Sequence, residues 1–318
     1  MNAAADKYVV VLGGINLDIK AKSTERLRLK DSNPGTVSYA AGGVGRNIAH
    51  NLALLGVDVK LMSIVGNDDE GRRVTKETTA SGVDCSNIMI ADGFKTGTYI
   101  ALLDSTGEME AAVSSMEIYS MLTEEYIDSK LELLKNAAFI ICDTNIPAEV
   151  ILHTARLATS CNIPLCLEPV SAAKARKIRH NLIGITMITP NLDELKELAD
   201  LGSDDFSLER AASSIIEKGV KYVITTLGEN GICITDINGS RLLKSFETEV
   251  SDVTGAGDSL TAGLIYGMLE YGNIDEACSC GLAAAAITVA CKATVSPELS
   301  LTAISKVIGS KKYKGSRD

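Results

Sequence analysis

The chain has 318 residues, of which 46% are hydrophobic, and a formal net charge of −10 at pH 7. This charge argues against a nucleic-acid partner, because binding to a phosphate backbone requires a basic face. The longest stretch of low polarity, 281–291, is far too short to span a bilayer, and residues 1–7 have neither the basic segment nor the apolar stretch of a signal peptide. We therefore expect a cytoplasmic protein that contacts no membrane.

The cysteines indicate a reduced core. None of the eight belongs to a Cys-x-x-Cys motif, and the close pair of Cys278 and Cys280 has no nearby histidine to complete a zinc site. Most of them lie inside apolar runs, so we expect neither metal ligands nor disulfides.

Six apolar runs rich in β-branched residues predict buried strands of a parallel sheet, at 8–14, 59–66, 139–144, 164–169, 187–191 and 222–228. Residues at helical spacing predict helices between them, marked by Ile48, Leu52 and Leu55, by Ile127, Leu131 and Leu134, and by Leu192, Leu195 and Leu198. This alternation predicts a doubly wound α/β sandwich, built as a single domain over 1–318.

Two segments, about 19–40 and 96–116, depart from this alternation. They combine polar alternation with turn residues and have no helical pattern. We expect them to form a small separate sheet, with 98–104 and 108–114 as a hairpin. A sheet with one exposed face needs covering, so it serves either as a lid over the site or as a dimer contact.

Polar residues follow the first predicted strand, at the sheet edge where an open α/β sheet binds its ligand. Asn16 and Asp18 bring an amide and a carboxylate together. They suit two hydroxyl groups of a small ligand, and the alternative is a turn capped by these side chains.

The glycine loop 41–47 opens the first predicted helix. A dinucleotide fingerprint would need its third glycine where Ile48 stands. The backbone of Gly42 and Gly43 and the side chain of Asn47 therefore suit a polyol better than a pyrophosphate.

Two later motifs offer a site for a nucleotide and its metal. Asn191 can cap the next helix and Glu194 can close a capping box. Glu194 could instead hold Mg²⁺ through water, because Mg²⁺ needs few protein oxygens. The segment 225–231, which contains Gly228 and Gly231, is either an ordinary hairpin turn or an edge that binds nucleotide phosphates.

The most informative motif is 252–258, Asp-Val-Thr-Gly-Ala-Gly-Asp, which precedes a helical run. Gly255, Ala256 and Gly257 allow a tight turn that presents backbone N–H groups at a helix N-terminus, where an anion is stabilised. Asp258 would repel a phosphate there unless it takes a proton from the group that attacks the phosphate. The motif suggests phosphoryl transfer to a hydroxyl, and the alternative is a glycine loop with Asp258 as a helix cap.

Taken together and in this order, the motifs resemble those of the ribokinase-like (PfkB) family of carbohydrate and nucleoside kinases, over almost the whole chain. The motifs are Gly14-x-Asn16-x-Asp18, Gly42-Gly43-x-Gly45-x-Asn47, Asn191-x-x-Glu194, Thr226-x-Gly228-x-x-Gly231 and Asp252-x-Thr254-Gly255-Ala256-Gly257-Asp258. The resemblance implies a three-layer αβα sandwich with a mostly parallel central sheet and a small β-sheet lid. It also implies that Asp258 deprotonates the acceptor hydroxyl and that the backbone of 255–257 forms the anion hole.

The resemblance assigns binding roles as well. ATP is expected along Asn191, Thr226, Gly228 and Gly231, with Mg²⁺ near Glu194. The ribose moiety of the acceptor is expected at Asn16, Asp18, Gly42, Gly43 and Asn47. The family also allows a monovalent cation, such as K⁺, at Asp252 and the backbone of 294–297.

Within the family, the sequence looks most like the pseudouridine kinases, by 42–49, by the lid runs 98–101 and 107–109, and by 143–145 and 168–171. Thr98 and Asn145 are accordingly assigned to the substrate, and Asn145 stands where ribokinases usually carry Glu. The expected reaction is the ATP-dependent phosphorylation of the 5′-hydroxyl of pseudouridine.

Several alternatives stay open. The acceptor could be adenosine, ribose or fructose phosphate. Fructose phosphate is the least favoured, because the substrate segments of the chain offer no basic residue other than Arg46 to bind its phosphate. A non-catalytic ligand sensor is disfavoured by the intact Asp258, and an NAD-dependent oxidoreductase by the broken fingerprint. The lid is compatible both with a homodimer through its sheet and with a monomer.

Overall fold

The computed structural model describes residues 8–201 and 206–310, so residues 1–7, on which the expectation about a signal peptide rests, lie outside the described part. The strands are β1 (Val9–Leu12), β2 (Asn16–Ser23), β3 (Gly35–Gly42), β4 (Val59–Gly66), β5 (Asp84–Ala91), β6 (Thr98–Leu103), β7 (Met109–Ser115), β8 (Phe139–Asp143), β9 (Leu165–Glu168), β10 (Met187–Ile188), β11 (Tyr222–Thr226), β12 (Ile232–Asp236) and β13 (Gly239–Leu243). The α-helices are α1 (Val44–Leu54), α2 (Asp69–Ala80), α3 (Glu124–Ser129), α4 (Leu131–Lys135), α5 (Ala148–Ser160), α6 (Ala172–Ala175), α7 (Leu192–Ala199), α8 (Leu208–Glu217), α9 (Ala256–Tyr271), α10 (Ile274–Val289) and α11 (Leu301–Ser310).

The larger sheet has the strand order β13–β12–β11–β10–β9–β8–β1–β4–β5. Its strands run parallel from β11 to β5, whereas β12 and β13 are antiparallel to their neighbours. The six predicted strands are confirmed, and they are six consecutive strands of this sheet, β11 to β4. The prediction missed β5, β12 and β13 at the two edges; β5 is half-exposed and of mixed polarity, which gives no buried apolar run.

Helices cover both faces of this sheet. Val9 and Val11 of β1 belong to the core shared with α1, α9 and α10, whereas Val10 and Leu12 belong to the core shared with α5, α7 and α8. The alternation follows from the period of two in a strand, and it confirms the three-layer αβα sandwich. All eight cysteines are free, and five of them are buried.

One predicted helix differs in its extent. The apolar spacing over 127–134 continues across Lys130, but the structure divides the segment there into α3 and α4. Residue spacing alone could not locate this break, because the two short helices keep the same buried face. The helices predicted around Leu52, around Leu195 and after Asp258 are α1, α7 and α9.

The smaller sheet has the strand order β3–β2–β6–β7, and its β6–β7 hairpin confirms the predicted one. It is longer than expected, because Asn16 already pairs with Gly42 at its base. Asn16 and Asp18 therefore belong to this sheet and do not form a turn after the first strand.

The two sheets meet at the point where the order of the larger sheet reverses. β1 and β8 are neighbours, and the helices that follow them, α1 and α5, pack on opposite faces. The carboxyl ends of both strands thus open into one crevice, which is where α/β sheets bind their ligands.

Candidate active site

The carboxylate of Asp143 joins the end of β8 to the glycine segments of the crevice. Its Oδ2 accepts hydrogen bonds from Gly14 N (2.7 Å) and Gly45 N (2.8 Å), and its Oδ1 accepts one from Asn145 N (2.8 Å). The side chain is fully buried, and a Cβ on Gly13 would lie 2.5 Å from Oδ2. Sequence analysis gave Asp143 no role of its own, although a carboxylate at the end of an apolar strand is a usable signal.

Asn16 and Asp18 form a hydrogen-bonded pair at the base of the lid. Asn16 Nδ2 donates to Asp18 Oδ1 over 2.6 Å, and burial raises the pKa of Asp18 while this bond opposes the change. A Cβ on Gly42 would lie 2.3 Å from Asp18 Oδ2, and one on Gly43, which has φ 99°, would lie 2.4 Å from Gly14 O. A side chain at 43 would meet the backbone of Gly14, and one at 42 would displace the Asp18 carboxylate, so glycine at both positions keeps this loop close to the Asn16–Asp18 pair.

Asn47 and Asp258 are in contact across the crevice. Asn47 Nδ2, on α1, donates to Asp258 Oδ2, in the first turn of α9, over 2.9 Å. Burial raises the pKa of Asp258 to about 7; the bond from Asn47 lowers it, and the charges of Asp143 and Asp18 raise it. A carboxylate with a pKa near neutrality is suited to proton transfer at neutral pH.

The glycine triplet forms the start of α9. Gly255 is the N-cap residue with φ 81°, and a Cβ there would lie 1.9 Å from Thr294 O. Gly257, in contrast, has no atom within 4 Å of its Cβ position. The backbone at Ala256 and Gly257 is therefore open to a ligand, at the positive end of a 16-residue helix.

Two cavities share this helix N-terminus as a wall. The larger, about 410 Å³, is bordered by Thr226, Gly228, Gly231, Phe246, Val253, Ala256, Gly257, Leu260 and Leu282 among others. The smaller, about 180 Å³, is bordered by Val44, Glu168, Val170, Thr189, Asn191, Glu194, Thr226, Gly257, Asp258, Leu260 and Thr261. The two have Thr226, Gly257 and Leu260 in common, so a ligand can extend from one into the other.

Asn191 and Glu194 form the capping box that the sequence allowed. Asn191 Oδ1 accepts from Asp193 N (3.0 Å) and Glu194 N (2.9 Å), and Glu194 Oε2 accepts from Asn191 N (2.9 Å). Both residues also border the smaller cavity, where burial raises the pKa of Glu194. The capping role and a position beside a ligand are thus compatible.

A third carboxylate of the smaller cavity was not singled out by sequence analysis. Glu168, at the end of β9, accepts hydrogen bonds at Oε2 from Thr189 Oγ1 (2.7 Å) and Thr261 Oγ1 (2.9 Å). Burial raises its pKa to about 8. The hydrogen bonds from the two threonines lower this pKa, and the charges of Glu194 and Asp258 raise it. This pKa favours the protonated form of Glu168 at neutral pH.

Two of the expected site residues, Thr98 and Asp252, form no hydrogen bond with the Asn47–Asp258 pair in the described part of the chain. Thr98 pairs with Leu17, on the lid face opposite to Asp18, and its hydroxyl donates to Thr96 O. Asp252 lies in the loop before α9, and the backbone hydrogen bond from Thr254 holds the pKa of Asp252 below its usual range.

Asn145 lies on the other side of the crevice. A Cβ on Gly14 would be 3.0 Å from Asn145 Nδ2, and Asn145 Oδ1 accepts a hydrogen bond from Lys174 Nζ. The ammonium group of Lys177, one turn further along, donates to Ile146 O. Two lysines thus hold the segment that follows β8.

Residues 8–201 and 206–310 contain no group of three or more His, Cys, Asp or Glu arranged around a metal ion. No helix in these ranges is long and apolar enough to cross a membrane.

A three-layer sandwich with a small lid sheet, and a carboxylate at an open helix N-terminus beside two joined cavities, define a phosphotransferase with an alcohol group as acceptor. The profile of the pfkB family carbohydrate kinases matches residues 6–300, and the chain belongs to this family. It is 34% identical to the pseudouridine kinase of Escherichia coli K12, over 95% of this chain and 96% of that protein. It is 33% identical to an uncharacterised sugar kinase of the same organism, over 92% and 81% of the two chains. Among solved structures, a putative sugar kinase from Clostridium perfringens superposes with a TM-score of 0.84 at 31% identity, over 96% of both chains.

Proposed function

We propose that this kinase transfers the γ-phosphoryl group of ATP to the 5′-hydroxyl of pseudouridine, giving pseudouridine 5′-phosphate. The observation that carries the proposal is the position of Asp258, which is held by Asn47 and borders the smaller cavity directly beside Gly257, a residue that both cavities share. The likeness to the pseudouridine kinase of E. coli over nearly the whole chain supports this acceptor.

The larger cavity suits the adenosine part of ATP. Phe246 and Leu282 give it an apolar wall for a base, and Thr226 and Gly228 give it a polar edge. The triphosphate would extend over Gly257, where no protein atom lies near the Cβ position. The N–H groups at the start of α9 would stabilise its negative charge there.

We assign Mg²⁺ to the smaller cavity, beside Glu194. The donor fits, because the carboxylate of Glu194 borders this cavity and Mg²⁺ needs few protein oxygens and keeps several waters. When bound there, the ion would neutralise charge on the phosphates. A monovalent cation beside Asp252 remains part of the proposal. It is supported by the contact between the loop that contains Asp252 and Gly255 and the loop that contains Thr294, whose backbone oxygen lies next to Gly255.

Asp258 is the proposed base. In its ionised form it would accept the proton of the 5′-hydroxyl as that oxygen attacks the γ-phosphorus atom. The backbone N–H groups of 255–257 would stabilise the charge on the transferred group. The ribose hydroxyls would bind to the hydrogen-bonding groups beside this carboxylate, at Asn16, Asp18, Gly42, Gly43 and Asn47.

Asn145 supports a nucleoside acceptor. An ammonium group can only donate hydrogen bonds, so Lys174 fixes Oδ1 of this amide toward itself and Nδ2 away from it. The amide therefore offers an N–H donor to the crevice, which suits a carbonyl oxygen of a base. Glu at the same position would offer an acceptor instead.

We also propose a homodimer through the lid sheet. The register places Ile19, Val37, Tyr39, Ile100 and Val113 on one face, and the last four are 42–64% exposed. An apolar face of this kind marks a contact surface. The opposite face carries Asp18 and belongs to the site. Because the donor is ATP, we place the enzyme in the cytoplasm.

An ATP-consumption assay with pseudouridine, uridine, adenosine, inosine, ribose and fructose 6-phosphate tests the acceptor. The proposal predicts the highest kcat/KM for pseudouridine. A clear preference for a free sugar would favour the second candidate, a sugar kinase, which the 33% identity to the sugar kinase of E. coli supports. No ATP consumption with any acceptor would favour a ligand sensor.

A further inference from the structure

Arg46 is a buried cation whose hydrogen bonds go to uncharged groups. It lies on α1 with 8% of its surface exposed, and within the described ranges no acidic group is close enough to form an ion pair with it. Its hydrogen bonds run from Nε to Thr78 Oγ1 (3.3 Å) and from Nη1 to Asn47 Oδ1 (3.3 Å). Burying a charge is costly, so the position of the Arg46 guanidinium group calls for an explanation.

The hydrogen-bond polarity of this contact is fixed. A guanidinium group has donors only, so it holds Oδ1 of Asn47 and turns Nδ2 of the same amide toward the other side. On that side, Nδ2 donates to Asp258 Oδ2 over 2.9 Å. A flipped amide would set its oxygen against the Asp258 carboxylate and its NH₂ group against Arg46, and both contacts would be repulsive.

The far side of Arg46 is anchored as well. Thr78 on α2 is fully buried, and its hydroxyl donates to Val74 O over 2.7 Å. The hydroxyl proton is thus occupied, and the oxygen is free to accept from Arg46 Nε. The hydrogen bonds therefore run outward from Arg46 in two branches, one through Thr78 to Val74 O on α2 and one through Asn47 to Asp258 on α9.

We propose that Arg46 is a positioning residue that orients the amide of Asn47 as a permanent donor to the Asp258 carboxylate. The inference rests on the proposed function of Asp258 as the base. It assigns Arg46 no contact with the substrate. Its effect is to keep the Asp258 carboxylate in one position and to favour its ionised form.

Other charged groups lie close to the hydrogen bonds of Arg46 and Asn47 and bear on the test. The charges of Asp143 and Asp18 act on Asp258, and the charge of Asp258 acts in turn on Glu168. Around Arg46 lie the carboxylates of Glu77 and Asp18, together with the Cys85 thiol and His50. Burial and the charge of Arg46 lower the pKa of His50 to about 4. His50 is therefore neutral at the pH of the experiment, and the test must separate the hydrogen bond from the charge of Arg46.

The test is the pH profile of kcat/KM for pseudouridine with ATP and Mg²⁺ in a double-mutant cycle of Arg46→Met and Asn47→Leu. Arg46→Met frees the Asn47 amide to turn and so weakens the hydrogen bond that Asn47 donates to the Asp258 carboxylate, which should move the acidic limb of the profile to higher pH by about one unit. The Asn47→Leu variant should show a similar shift, and the double variant should shift no further than Asn47→Leu alone. Arg46→Lys, which keeps a charged donor, should restore part of the wild-type profile.

An equal loss of activity at every pH in Arg46→Met would overturn the inference, because it would show a structural role. Full additivity of the two shifts would also overturn it, because Arg46 would then act through its charge and not through Asn47. Thr78→Val, which removes the far anchor but keeps the shape of the side chain, should give a smaller shift in the same direction even if Arg46→Met does not fold. If Asp258→Asn keeps wild-type turnover, the proposed function fails independently of these profiles.

Discussion

Lys174 on α6 donates a hydrogen bond to Oδ1 of Asn145, which follows β8. Burial lowers the pKa of Lys174, and the charge of Asp143 opposes this change. The contact fixes the orientation of the Asn145 amide, whose Nδ2 lies beside Gly14. It links the segment after β9 to the residue for which we propose a contact with the acceptor.

Replacing Lys174 should therefore affect the acceptor and not ATP. We expect Lys174→Met to lower kcat/KM for pseudouridine by about tenfold, the value of one hydrogen bond, with the KM for ATP unchanged. The matched control is Lys177→Met, since Lys177 holds the backbone oxygen of Ile146 and not the amide. Steady-state kinetics of both variants check the prediction, and an equal loss for the control would contradict it.

Glu168 should make the stability of the protein depend on pH. Its pKa is raised to about 8, so the folded state keeps a proton that the unfolded chain loses above about pH 4.3. The free energy of unfolding should thus fall as pH rises from about 5 to 8. Glu168→Gln keeps an oxygen acceptor for Thr189 and Thr261 without this titration.

Melting temperatures of wild type and Glu168→Gln, measured between pH 5 and 8.5, test this statement. The two proteins should be similar near pH 5, and the variant should become the more stable one as the pH approaches 8. A difference that is the same at every pH would show that the carboxyl group does not titrate in this range.

Gly257 should tolerate a side chain structurally but not functionally. A Cβ there meets no protein atom within 4 Å, and alanine favours a helix, so Gly257→Ala should fold normally. The methyl group would occupy the path proposed for the phosphates, and we expect kcat/KM for ATP to fall on the order of 10²-fold. Gly309→Ala, in α11 with equally open surroundings, is the control that should leave the kinetics unchanged.

The lid surface predicts the oligomeric state. Val113 is 64% exposed on the apolar face of β7, whereas Ser114 is exposed on the opposite face. We expect the wild type to sediment as a dimer and Val113→Lys as a monomer, because a charge would be buried in the contact. Ser114→Lys should remain a dimer. A wild type that sediments as a monomer at micromolar concentration would remove this part of the proposal.

Much of the fold could be predicted because its central strands are buried on both faces. Strands β1, β4, β8, β9, β10 and β11 appear as apolar runs, whereas β5 at the edge does not. Gly255 could be assigned to a tight turn, and Gly42 and Gly43 were expected to lie close to a polyol ligand. The structure shows the protein groups that they approach, which are Thr294 O for Gly255, the Asp18 side chain for Gly42 and Gly14 O for Gly43. Contacts between distant parts of the chain could not be predicted. The hydrogen bond between Asn47 and Asp258, for example, joins residues 211 positions apart.

The buried residues that support the site were missed for a related reason. Asp143, Glu168 and Arg46 are polar residues whose roles depend on what surrounds them after folding. Thr98 shows the opposite case. Its place in the lid was predicted, but the register with Leu17 turns it away from Asp18, and one residue of register decides the face.

The central claim is that Asp258 is the base of phosphoryl transfer, and kinase turnover of Asp258→Asn tests it most directly. An asparagine keeps the shape and can still accept the hydrogen bond from Asn47, but it cannot take a proton. With pseudouridine and ATP, we predict a loss of kcat of roughly 10²- to 10⁴-fold, while ATP binding measured by calorimetry and the melting temperature at pH 7 stay close to wild type. Turnover near the wild-type rate would contradict the account.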